Sequence, residues 1–234
     1  MARVIVRNPS GAVVIDDSFV NTALKAKGAV TTANDGNGVI SAVVSHTAIS
    51  SSRLPILALS SNQLVYLSKV QRNGTSVSWK VATQSEGSVS YYIFDDPSST
   101  SAAGSLVLRN AATDVVTFDS DLDYLKVVGV YVTPKGTGVA TYQLPPGRVY
   151  AIVPLASSYS TQVGPAPSPP NPPPPFPPKW RIELMDASAS RISGSTLTVE
   201  RVTVYNRLLQ GGVTNQTYYS GGDSAVMIVD ITSL

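Results

Sequence analysis

The side chains that could move a proton or hold a metal are few. One histidine, His46, three glutamates, Glu86, Glu183 and Glu200, and twelve aspartates make up the whole set, and there is no cysteine. A single histidine cannot build a His triad, a His-x-x-x-His zinc pair or a three-histidine metal site within one chain, and the absence of thiols removes disulfides, Cys-ligated zinc and thiol nucleophiles. His46 sits in VVSHTAI, which reads as strand, and is expected to be structural. The aspartates could supply a glycosidase pair, two carboxylates about 5–9 Å apart across a sugar, but most of them border turns. Asp119, Asp121 and Asp123 alternate as a calcium loop would, yet Tyr124 stands where such a loop needs glycine and Val130 where it needs glutamate. The expectation is a non-enzymatic protein with no cofactor and no metal.

Contact chemistry is the alternative. Tyr218 and Tyr219, with Tyr205 and Trp180, are the candidate interaction surface, because aromatic rings combine a large contact area with a small ordering cost. Neighbouring strand residues point to opposite faces, so only one of Tyr218 and Tyr219 is easily buried. The stretch TTANDGNG at 31–38 reads as a second candidate recognition loop. The glycine pairs at 211–212 and 221–222 form no phosphate-cradling motif.

The elements that must position these groups are strands. Only 14% of the 234 residues are charged, 43% are hydrophobic, and the net charge is +2 with no basic run to neutralise phosphates. Nucleic acid is therefore not an expected partner. MARVIVRNPSG begins like a strand and turn, not like an apolar export signal, and no long apolar stretch predicts a membrane helix.

RNPSGAVVIDDS (7–18) returns as RNAATDVVTFDS (109–120), each within alternating apolar residues. Both read as hairpins, within the related elements 3–28 and 105–129, with Asn8, Pro9, Gly11, Asp17, Asn110 and Asp119 at the turns. ALKAKG (23–28) then matches YLKVVG (124–129) after a one-residue spacing change, expected to fall in the connecting loop. Equivalent hairpins closing one core would explain the repetition. Further strands are expected in 53–70, 76–84 and 88–96, and VATYQ and RVYAIVP are expected to pair around Pro145-Pro146-Gly147. Residues 165–178 hold 10 of the 17 prolines and fit neither helix nor sheet; they predict a polyproline spacer, or secondarily a docking peptide for an aromatic groove. The fold class is all-β: a sandwich-like body at 1–162, a linker at 163–178, and a small β module at 179–234 that leans on the body or on another subunit.

Val4, Val6, Asn8, Gly11 and Asp17-Ser18, then LPILAL at 54–59, YYIFDDP at 91–97 and SLVLRNAATDVVTFDSDLDYLKVVG at 105–129 occur in an order that resembles small tail-tip or minor tail structural proteins of long-tailed bacteriophages. The resemblance spans about residues 1–156 and departs where Thr113 replaces a turn glycine. It implies a structural virion component at the distal tail, made in the bacterial cytoplasm, which contacts other tail-tip proteins and is present as a homotrimer or a multiple of three. The alternative it allows is a carbohydrate- or receptor-binding module facing the host.

Overall fold

The computed structural model describes residues 5–7, 13–16, 20–36, 38–98, 106–110, 112–157, 159–165, 180–210 and 217–234. Among the described residues it is an all-β, sandwich-like fold of eighteen antiparallel strands with no helix. β-branched and aromatic residues alternating with small polar ones favour this state, because each strand buries one face and leaves the other in water. In β7 (Ser76–Thr83), Val77, Trp79 and Val81 are buried while Ser78 and Lys80 are not. Gly74, at φ 60°, makes the tight turn from β6 (Val65–Asn73) into β7, where side chains with a Cβ are strained.

The chain folds the same way twice. Each half starts with a two-stranded hairpin, β1 (Ile5–Arg7) with β2 (Val13–Asp16), and β9 (Val107–Arg109) with β10 (Val116–Asp119). Six strands in each half then form the matching sandwich. In the first, β3 (Ala23–Asn34) and β5 (Ile56–Ser60) flank β8 (Gly87–Asp95), while β4 (Ile40–Thr47) and β6 flank β7. In the second, β11 (Val127–Thr133) and β13 (Tyr150–Ala156) flank β18 (Ser224–Asp230), while β12 (Val139–Gln143) and β15 (Trp180–Ser193) flank β16 (Thr196–Gln210). The order of these six strands and their pairings around the central β8 and β7 recur around β18 and β16, but β3 also pairs with β4, whereas β11 and β12 do not pair. The halves join edge to edge, β5 to β13 at Leu59↔Ile152 and β6 to β15 at Val65↔Ser190, so two three-stranded sheets become six-stranded in each layer.

The layers close on two inner clusters. Leu57, Leu59, Val89 and Ile93 of one sheet meet Val44, Val65, Val77, Trp79 and Val81 of the other; in the second half, Tyr150, Ile152, Val226 and Ile228 meet Leu197 and Val199. Arg–Asp pairs recur too. Arg53, before β5, reaches Asp96 at 3.2 Å, and Arg148, before β13, reaches Asp230 at 2.8 Å.

The repeated letters meet on the outer face of the β3–β8–β5–β13–β18–β11 sheet. Leu24 N–H donates to the Asp123 carbonyl at 2.7 Å, and Leu125 N–H donates to the Thr22 carbonyl at 3.0 Å, around an Ala23↔Tyr124 bridge. These are matching positions of the two copies, related by a local twofold axis. Leu24 and Leu125 both pack on one cluster that includes Phe94, Ala151 and Val229. The one-residue spacing change is not confined to the connecting loop. Arg7 pairs with Val13, but Arg109 pairs with Val116, so the second turn is one residue longer, while the bulge falls at the same place in both copies, on the second strand of each hairpin. Ten residues therefore separate Val13 from Ala23 and eight separate Val116 from Tyr124. The difference is even, so side-chain facing is preserved.

Three expectations are revised. β12 and β13 do not pair with each other; they belong to opposite layers, paired with β16 and β18. Residues 31–34 are the end of β3, not loop. Residues 179–234 are not a separate module, since β15 and β16 lie in one layer and β18 lies between β11 and β13 in the other. The strand edges of so short a segment find partners within the body. The proline-rich residues 166–178 lie outside the described residues, but their flanks are fixed: Pro165 of β14 (Tyr159–Pro165) pairs with Arg181 of β15. A segment whose ends sit on adjacent strands cannot hold two bodies apart.

Candidate functional site

His46 packs its Nε2 3.0 Å from Asp95 Oδ2, and the same carboxylate oxygen accepts Ile49 N–H at 2.9 Å. Asp95 is buried at the end of β8 and ties the β4–β5 connection to that strand. Lys25 lies in the field of Asp95, Asp119 and Asp96; its burial lowers its pKa and these carboxylates oppose the shift. Its ammonium donates to Ser98 Oγ at 3.1 Å. No three His, Asp or Glu side chains converge on a metal position among the described residues.

The aspartates of DSDLD separate. Asp119 is 1% exposed, its Oδ1 accepts Asp121 N–H at 3.1 Å, and its backbone is gripped by Tyr124 Oη. Asp121 and Asp123 are exposed. Asn110 caps the β9–β10 turn, its Oδ1 accepting from Ala112 and Thr113 N–H at 2.9 and 3.1 Å. Asp114 there adopts φ 55°, a left-handed conformation that aspartate tolerates. Asn8, Pro9, Gly11 and Asp17 lie outside the described residues.

Beside the twofold axis is a cleft of about 410 Å³ lined by Val20, Asn21, Thr22, Phe118, Tyr124 and Leu125, with Lys126 at its rim. Phe118 and Tyr124 stack at 4.9 Å and 13°. The polar groups here already have structural duties: Asn21 Nδ2 donates to the Thr117 carbonyl at 2.9 Å and Lys126 Nζ to Ser233 Oγ at 3.0 Å. The cleft is a seam where the two hairpin elements meet, and among the described residues no polar constellation is aimed at a ligand.

The four aromatic candidates fall on one sheet. β14 pairs with β15 and with β17 (Thr217–Ser220), so β16–β15–β14–β17 form a four-stranded extension of the second half. Tyr219, Thr161, Met185 and Tyr205 stand in one cross-strand row, and Tyr218 stands in the next, opposite Gln162. Across three strand spacings the two ends of that row are about 14 Å apart. Trp180 is five residues along β15 from Met185, at the end beside the proline-rich segment. The chain thus gathers three tyrosines within two rows and leaves Trp180 apart. The 31–38 stretch holds a tight turn, with Asn34 Oδ1 on Gly36 N–H and Asp35 paired to Lys80 at 2.7 Å.

Tyr66, 4% exposed in the outer-face cluster with Ala82, Ala189 and Val202, was not singled out by sequence, where it looks like one of many strand tyrosines. Burial, assisted by Asp35, pushes its phenol up to about 12. The folded state therefore holds the neutral phenol that the unfolded chain ionises near 10. Its stabilisation is complete below pH 10 and is lost as pH rises from 10 towards 12, a swing of about 2–3 kcal/mol. Tyr66→Phe is expected to flatten the alkaline limb of the melting temperature against pH, with little change at neutral pH.

No protein-family model, no curated protein and no solved structure matches the chain.

Proposed function

We propose that this chain is a non-enzymatic structural component of a bacteriophage virion at the distal tail, present in three copies or a multiple of three. The observation that carries the reading is the uneven duplication. One half is a plain six-stranded sandwich, whereas the other bears the four-stranded extension with the proline-rich segment at its end and the tyrosine rows across it. A rigid body decorated on one repeat suits a part that is anchored among tail proteins through one region and offers another to a further partner. The order of the motifs in residues 1–156 supports the tail-tip placement by resemblance. Reconstruction of the intact particle, with the chain located and counted, tests it. Density for the two-repeat sandwich at the tail tip is expected; absence from virions, or a capsid position, refutes the assignment.

A second reading is favoured by Tyr205, Tyr218 and Tyr219 falling in adjacent rows of one sheet. It makes the extension a carbohydrate- or receptor-binding surface, since rings spaced along a sheet can stack on successive sugars. Binding of the full chain to host cells or glycan arrays, reduced at least tenfold by Tyr219→Ala with an unchanged melting curve, is the expected result under that reading.

A further inference from the structure

The two halves serve as controls for one another. The outer edge of one sheet layer is β3 in the first half and β11 in the second, each paired on one side to the matching strand, β8 or β18. Leu57↔Ile93 matches Ile152↔Ile228, all in the inner clusters, so Tyr92 corresponds to Met227 and Ser90 to Ala225. Opposite Tyr92 stands Lys27 and opposite Ser90 stands Ala29; opposite Met227 stands Val130 and opposite Ala225 stands Val132. The fold therefore accepts a lysine and an alanine at these edge positions. The second half instead exposes Val130 at 56% and Val132 at 53%, and the bulge in β13 adds Leu155, 52% exposed.

Exposed edges are normally defended by lysine, because an uncharged edge strand templates another strand. β3 carries Lys25 and Lys27 and is also tied to β4 at Ala33↔Ser41 and Asn34↔Ile40. β11 has no charged residue from Val127 to Thr133, does not pair with β12, and among the described residues has no strand on its outer side. Tyr142 Oη donates to the Val132 carbonyl at 2.9 Å, which closes the C-terminal end of the edge and leaves the part around Val128–Val130 open.

We infer that the β11 edge, with the outer-face row of Val130, Val132, Met227 and Leu155, is the docking surface for a second copy of this chain in a two-fold contact. An uncharged, β-branched edge is its own complement when two copies meet antiparallel, as an isologous contact requires. The lysines of β3 decide where association stops. Pairing β11 of one copy with β3 of the next would propagate into an open chain and would bury ammonium groups, so only the closed pair is free of that cost. An exposed patch of this kind covers on the order of 300–600 Å², against about 800 Å² per partner in a standard stable complex. The pair is accordingly weak in isolation and is strengthened where copies are held close together. Three such pairs around an axis are six copies, a multiple of three; the contact itself does not depend on the tail-tip reading and stands or falls with the isolated protein.

Sedimentation of the full chain from low micromolar to several hundred micromolar tests it. A monomer–dimer equilibrium is expected, abolished over the whole range in Val130→Lys/Val132→Lys. Lys27 already occupies the position matching Val130 in the first half, and Val132 is 53% exposed, so the variant should keep the wild-type circular dichroism and melting temperature. A wild-type chain that is monomeric throughout, one that forms trimers or open polymers, or a folded lysine variant that dimerises as strongly as wild type, each overturns the proposal. Should the double variant misfold, Val130→Thr takes its place, with at least a fivefold weaker dimer expected and an unchanged dissociation constant counting against the contact.

Discussion

Removing residues 224–234 leaves no soluble, cooperatively melting protein. β18 is the middle strand of its half-sheet, so its loss breaks the ladders to β11 and β13 together and strands both as edges. The same strand supplies Val226 and Ile228 to one cluster, and Val229, with Ile231 just beyond it, to the other, all at most 4% exposed. Each buried aliphatic side chain is worth about 1.5–3 kcal/mol, so four of them together rival the total stability of an ordinary domain, about 5–15 kcal/mol. Asp230 leaves as well, and with it the partner of Arg148. Replacing 166–178 by a short Gly/Ser turn is the matched control and should leave the melting curve nearly unchanged, because the Pro165↔Arg181 pairing on which the segment is mounted remains. Expression, circular dichroism and thermal melting of the two variants distinguish the cases. A truncated chain that still melts cooperatively near the wild-type temperature would mean that the C-terminal strands are an appendage.

Trp79→Ala is expected to cost about 3–5 kcal/mol, the range for removing a buried aromatic ring from a packed core. Trp79 is 2% exposed in β7, and belongs to the cluster of Leu57, Leu59, Val81 and Ile93 that holds the two layers of the first half together. The surrounding strands are fixed by ladders on both sides, so the cavity cannot collapse. For a chain of this size each kcal/mol lowers the melting temperature by about 2–4 °C, giving a drop on the order of 10 °C. A loss below about 1 kcal/mol in chemical denaturation would contradict this account of the core. Val43→Ala, on the exposed side of neighbouring β4, should stay within about 0.5 kcal/mol.

Much of the local structure was legible in the amino-acid order. Alternation in SVSWKVAT and in SVSYYIFD predicts strands, and β7 and β8 bury Trp79, Ile93 and Phe94. The two similar twelve-residue stretches do form hairpins, since alternating apolar residues around turn formers are a local signal that needs no distant partner. The histidine and the acidic residues could be examined one by one for chemistry, but not that His46 and Asp95, forty-nine positions apart, would meet.

Which strand lies beside which was decided only in three dimensions. The period of two tells a strand which face to bury and says nothing of its neighbour, so β12 and β13 look like a hairpin in sequence and end in opposite layers. The second copy of the sandwich was hidden for a related reason. Its strands are split by β14, the proline-rich segment and β17, and outside the hairpins the two halves share a burial pattern and pairing scheme but little residue identity. Val130 and Val132 likewise read as ordinary strand valines until the register sets them opposite Met227 and Ala225, in the places that Lys27 and Ala29 take in the other half. Local order determined that this chain is β and where it turns; long-range packing, in which each sheet edge must find a partner or a charge, determined that it is one sandwich made twice.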